Sequence, residues 1–74
     1  MILIGRLRYL HAKRWGFIDR DDGQGSVFVP AYQFELAGIE PQRGDVFEFD
    51  MQRSPRDGRW EAAQLKLLKK EQAA

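Results

Sequence analysis

The sequence has no cysteine and only one histidine, His11. Disulfide staples and thiolate metal sites are therefore excluded, and a histidine metal site cannot be built from one imidazole. No apolar run approaches the roughly 20 residues that a membrane span needs. The apolar start Met1-Ile2-Leu3-Ile4 gives way to Gly5 and Arg6 too soon for a signal-peptide core. There is no repeat, linker or low-complexity segment. The expected setting is reducing and cytoplasmic, with no membrane partner and no cofactor. At 74 residues the chain is one domain. A domain of this size buries only about 60% of the surface its unfolded chain exposes, so an internal catalytic cavity is hard to accommodate. Hydrophobic residues make up 43% and charged residues 31%, as in ordinary folded domains.

The net charge is +1, but the charges are segregated. Residues 1–18 carry Arg6, Arg8, Lys13 and Arg14 and no acid. Residues 19–50 carry eight acids against Arg20 and Arg43. Residues 51–70 are basic again, with Arg53, Arg56, Arg59, Lys66, Lys69 and Lys70 against Asp57 and Glu61. If the two ends meet in space, one face becomes cationic; the alternative is a mixed solvated surface.

Short apolar runs separated by turn residues predict strands. They fall at 2–10, Trp15–Arg20, Ser26–Pro30, Gly44–Arg53 and Arg59–Leu67. Asp21-Asp22-Gly23-Gln24-Gly25 and Ser54-Pro55-Arg56-Asp57-Gly58 supply the turns. Residues 31–43 are the least regular, with one helical turn near Tyr32–Leu36. The last strand alternates, with Ala63, Leu65 and Leu67 on one side, although its composition also suits a helix; a strand running into a short helical tail is expected. The fold class is all-β, a five-stranded antiparallel barrel of the OB-fold kind. The domain covers 1–70, and the polar tail 71–74 is expected to fray.

Alternation assigns the faces. Ile18, Val27 and Val29 are β-branched and suit a tight interior, with Leu7, Ile4, Phe47, Phe49 and Met51 beside them. Trp15, Phe17 and Phe28 then lie on the outside, with Tyr9 extending the row. Gly16 weakens its strand and requires a reason, such as a close backbone approach beneath the flanking rings. Exposed rings grouped in this way mark an interaction site. Single strands offer base faces that stack on such rings, and cations neutralise phosphates. Duplex DNA, already stacked and paired, is a poor ligand. The competing reading is that these rings are core.

These residues resemble a family. Gly5-Arg6-Leu7-Arg8-Tyr9-Leu10-His11 is similar to the opening strand of bacterial cold-shock domains. Lys13-Arg14-Trp15-Gly16-Phe17-Ile18 resembles their first RNA-binding motif, and Val27-Phe28-Val29-Pro30 their second. Gly44–Phe49 and Glu61–Leu65 fit the last two strands, so the likeness spans about residues 5–67. It implies stacking by Tyr9, Trp15, Phe17 and Phe28, and phosphate contacts by Arg8 and Lys13. Arg14 stands at a motif glycine and Leu10 at a phenylalanine. Pro30 stands at a stacking histidine and Ala31 at a phenylalanine, which shortens the platform; Tyr32 or Phe34 could compensate. The candidate site is thus Arg8, Tyr9, Lys13, Arg14, Trp15, Phe17, Phe28, Pro30 and Tyr32.

The resemblance implies binding of single-stranded RNA or DNA without catalysis, as an RNA chaperone or transcription antiterminator, by a monomer or weak homodimer. The alternative is a protein-interaction or dimerisation module on a degenerate scaffold, using a separate apolar surface of Trp60, Tyr32, Phe34 and Ile39. No enzyme is expected. His11 has no nucleophile or base partner, and turn chemistry explains Asp19, Asp21 and Asp22 better than a cation site does.

Overall fold

In the computed structural model, which describes residues 2–71, five antiparallel strands form one sheet. They are β1 (Leu3–Leu10), β2 (Gly16–Arg20), β3 (Ser26–Val29), β4 (Val46–Arg53) and β5 (Trp60–Lys69), with α1 (Ala31–Ala37) between β3 and β4. The spatial order is β3-β2-β1-β4-β5. The sheet curls until β3 and β5 touch, yet no hydrogen-bonded ladder joins them among the described residues. The barrel is therefore not closed. β3 has only four residues and stops at Pro30, and the helix that follows packs against β5. Among the described residues no helix is long and apolar enough to cross a membrane.

The core is the inner face of the curled sheet. Leu7, Ile18, Val27, Val29, Phe47 and Phe49 are buried there, as alternation predicts, and Met51 packs against them. Ile4 is not among them: it is exposed, and Gly5 faces inward instead. Inward positions on β1 are odd-numbered as far as Leu7, so Ile4 falls on the outer side. The core also takes Phe34 from α1, whose ring lies 5.7 Å from that of Phe47. α1 is longer than the single expected turn. It ends where Gly38 adopts φ 69, with Gly38 N–H donating to Glu35 O and Ile39 N–H to Phe34 O, the pairing of a Schellman cap.

Register shifts break strict alternation at three places, one between β1 and β2 and two between β4 and β5. On β1, Leu7 pairs with Ile18 but Tyr9 pairs with Phe17, so Arg8 is an extra residue. On β5, Lys66 pairs with Glu48 and Ala63 with Asp50, and Gln64 takes φ 53. Ala63 and Leu65 are buried and Leu67 is half-buried, as alternation predicts, and Ala62 is buried beside them. No helical tail forms, because β5 stays paired with β4 as far as Lys69. Of the tail expected to fray, Glu71 is held: its N–H donates to Asp45 Oδ1 at 2.6 Å. Residues 72–74 lie outside the described residues.

Asp45 anchors that C-terminal end. It is fully buried, and accepts from Lys70 Nζ at 2.9 Å, from Gln42 N–H at 2.9 Å and from Glu71 N–H. Burial alone would raise its pKa. The three donors and the Lys70 charge outweigh burial, and the carboxyl titrates below its ordinary 3.8. Such a group adds stability above its unfolded pKa and loses it as pH falls through the folded value. Asp45→Asn is therefore expected to lower stability at neutral pH by about 2 kcal/mol and to flatten the acid limb of stability against pH. Urea melts from neutral to acid pH check this; an unchanged acid limb would refute it.

Candidate nucleic-acid interface

The bulge at Arg8 decides which way Tyr9 points. Without the extra residue, Tyr9 would follow Leu7 into the core. With it, Tyr9 is exposed opposite Phe17, and Leu10 turns inward. Across the next pair, Phe17 opposes Phe28. The ring centroids of Tyr9 and Trp15 are 5.7 Å apart, those of Trp15 and Phe17 6.1 Å, those of Trp15 and Phe28 6.0 Å, and those of Phe17 and Phe28 5.7 Å. The four rings expected on the outer face thus form one continuous row. Tyr9 and Phe28 are 42% and 37% exposed; Trp15 and Phe17 are half-buried, because each packs against other rings of the row.

Gly16 lies between two of these rings with its α-carbon facing inward. A Cβ there would sit 2.2 Å from the carbonyl oxygen of Tyr9. The glycine thus permits β1 and β2 to approach closely just where Tyr9 and Trp15 meet.

The turn from β1 to β2 is a short hairpin loop. His11 N–H donates to Trp15 O, and Arg14 N–H to His11 O. Its third residue, Arg14, has φ 73, a left-handed conformation that L side chains adopt at a cost of about 1–2 kcal/mol. Glycine is the residue this loop type favours at that place. Arg14→Gly is expected to raise the melting temperature by about 5 °C, equivalent to about 1 kcal/mol in a domain of this size. The Arg14–Glu40 ion pair lost with it is exposed and worth little. A thermal scan showing a lower midpoint would refute this.

The expected cations are arranged differently from a free basic rim. Arg8 Nε donates to Asp19 Oδ1 at 2.8 Å, and its Nη2 to Ser26 Oγ at 3.1 Å. The Arg8 hydrogen bond holds the Asp19 carboxyl below its ordinary pKa against the opposing effect of desolvation. Arg14 pairs with Glu40 and lines a second hollow beside Phe34 and Ile39, not the hollow of Trp15. Lys13 is exposed, and its ammonium has no ion-pair partner among the described residues. The basic start of the chain is thus partly neutralised by the acidic middle. Both arginine pairs are solvent-exposed, so a phosphate can displace the carboxylates at little cost. The turn acids have local duties: Asp22 binds the Arg20 guanidinium and accepts from Gln24 N–H.

No family model matches this sequence, and no curated protein matches it. The site is defined by its geometry.

That geometry includes residues the sequence reading did not place here. His11 stacks on Trp15 at 4.4 Å with an interplanar angle of 11°, supporting one face of the indole. A groove of about 830 Å³ runs from Trp15, Phe17 and Phe28 past Pro30 and Tyr32 to Trp60. Pro30 is buried at its base and serves as the N-cap of α1. The separate apolar surface expected of Trp60, Tyr32, Phe34 and Ile39 does not exist as such. Phe34 is core, Ile39 packs on the core, and Tyr32 and Trp60 belong to the same groove as Trp15.

Tyr32 is fixed by Glu61. Its hydroxyl donates to Glu61 Oε2, which also accepts from Gln33 at 3.3 Å and Gln52 at 3.2 Å. The bond to the carboxylate, with burial, pushes the phenol pKa up. Burial would raise that of Glu61, but its donors outweigh this and keep it below its ordinary value. The proton stays on Tyr32, and a buried carboxylate holds its ring in place at the groove.

Proposed function

We propose that this chain is a single-stranded nucleic-acid-binding domain of cold-shock type. The observation that carries the reading is the continuous row Tyr9–Trp15–Phe17–Phe28 on the outer face of the sheet. A platform of ring faces spaced at about 6 Å suits successive unpaired bases, each stack worth about 1–3 kcal/mol. Lys13, Arg8 and Arg14 supply the phosphate contacts. The left-handed φ of Arg14, at the position of a motif glycine, also fits the resemblance. In this reading the domain keeps RNA or DNA strands unpaired by binding only the open form, as an RNA chaperone or antiterminator in the cytoplasm. It acts as a monomer or weak homodimer and carries out no chemistry.

Titration with octathymidylate and octauridylate at low salt tests it. Quenching of tryptophan fluorescence is expected, with affinity falling as salt rises. A tight homodimer that buries Trp15, with no response to either strand, would overturn it in favour of a dimerisation module.

A further inference from the structure

The ring row ends at Phe28, but the groove does not. It continues to an arm built from the β4–β5 hairpin, which no motif of the sequence marks. Arg53 and Trp60 are direct cross-strand partners at the mouth of that hairpin. The Arg53 guanidinium lies 4.6 Å from the centroid of the Trp60 ring, and its Nη1 donates to Gly58 O at 2.9 Å. Ser54 N–H donates to Arg59 O at 2.7 Å, closing the turn. The cation is therefore held on one face of an indole that remains 53% exposed. Arg56 stands over the Tyr32 ring at 5.4 Å, and both Arg56 and Arg59 line the groove.

Resting on the function proposed above, we infer that Trp60, backed by Arg53, is a further stacking station that takes an additional base of the same strand, with Arg56 and Arg59 at its phosphate. Three features single out a nucleotide as occupant. The groove joins this indole to the rings of β2 and β3 without interruption. An exposed indole backed by a guanidinium is pre-set for stacking, since little side-chain freedom remains to be lost. The arginines complement a phosphodiester. The carboxylates nearby do not cancel them. Glu61 is buried under three side-chain donors. Asp57 and Glu35 are exposed at the groove; Asp57 accepts from Arg59 N–H at 3.0 Å within the turn, and its ion pair with the Arg59 guanidinium, at 3.9 Å, is solvent-exposed and worth little against a phosphate. The arm also restores reach at the end of the platform that Pro30 and Ala31 shorten.

The test is strand length. Wild type, Trp60→Ala and Trp60→Phe are compared by anisotropy of labelled trithymidylate and octathymidylate. Trp60→Ala is expected to weaken octathymidylate binding roughly tenfold and leave trithymidylate unchanged; Trp60→Phe restores most of the loss. Equal affinities of wild type and Trp60→Ala for both strands would overturn the inference and leave the proposed function standing. So would an equal loss on both strands, which would place Trp60 in the main platform or the fold. Wild type that binds neither strand overturns both readings. An acidic peptide that quenches Trp60 while octathymidylate affinity is indifferent to Trp60→Ala would assign the arm to a protein partner instead.

Discussion

Gly16→Ala is expected to cost about 3 kcal/mol or more, and to lower the melting temperature by about 15 °C. The added methyl would meet the carbonyl oxygen of Tyr9 at 2.2 Å and Leu7 Cδ1 at 3.1 Å. The first obstacle is backbone within a paired strand, and it cannot rotate away. The strands must part, and the Leu10–Gly16 and Tyr9–Phe17 pairings beside the bulge separate with them. A domain of this length has about 4–11 kcal/mol in hand, at about 0.05–0.15 kcal/mol per residue. Gly5→Ala belongs to the same class, with Asp19 O at 2.3 Å and Ile18 Cγ2 at 2.5 Å. Gly23→Ala is the control. It meets nothing within 4 Å and pays only for its φ of 77, about 1 kcal/mol. Circular-dichroism melts of the three variants decide the matter. If Gly16→Ala melts within a few degrees of wild type, the close approach of β1 and β2 is wrong.

Gly16 also shows how far the sequence could be read. A glycine inside a strand pattern points to a close backbone approach, and one is present. The strands themselves were legible because each carries a period-two pattern bounded by Gly, Asp or Pro. What alternation cannot register is an extra residue. Ile4 was expected inside and is outside. Ala62 is buried beside Ala63, next to the bulge at Gln64, where strict alternation places it outside. Tyr9 reached the outer face through the bulge at Arg8, which local composition does not mark. The same limit hid the Trp60 arm. Arg53 and Trp60 meet only because the hairpin between them has a particular length, and that length sets their register. Once the turn is taken as 54–59, the pairing follows. No sequence pattern marks His11 as part of the ring row, yet the three-residue loop folds it back onto Trp15. The charge pattern left the pairings open. It located basic segments correctly, but Arg8 and Arg14 pair across the fold with acids of the middle segment, Asp19 and Glu40. Sequence distance hides such partners until the strand order is known.

Phe28→Ala is expected to weaken binding of octathymidylate about tenfold while shifting the melting temperature by only a few degrees. The energy of one lost stack, about 1–3 kcal/mol, sets the first number. The position of the ring sets the second: Phe28 is 37% exposed and stands outside the core cluster. Trp15→Ala should do more, because Trp15 touches Tyr9, His11, Phe17 and Phe28 and holds the row together. The two losses should not add in the double variant, since the rings lie 6.0 Å apart and share partners. Phe34→Ala supplies the contrast. Its ring is 1% exposed within the core, and truncation should cost about 3–5 kcal/mol and lower the melting temperature by about 15 °C or more. Salt separates stacking from charge. The slope of log affinity against log salt should be unchanged in Phe28→Ala and smaller by about 0.7 in Lys13→Ala, the value for one phosphate of a single strand. If Phe28→Ala unfolds, the ring is core and the platform reading fails at its centre. If it folds and binds as wild type does, the rings are exposed for some purpose other than stacking bases.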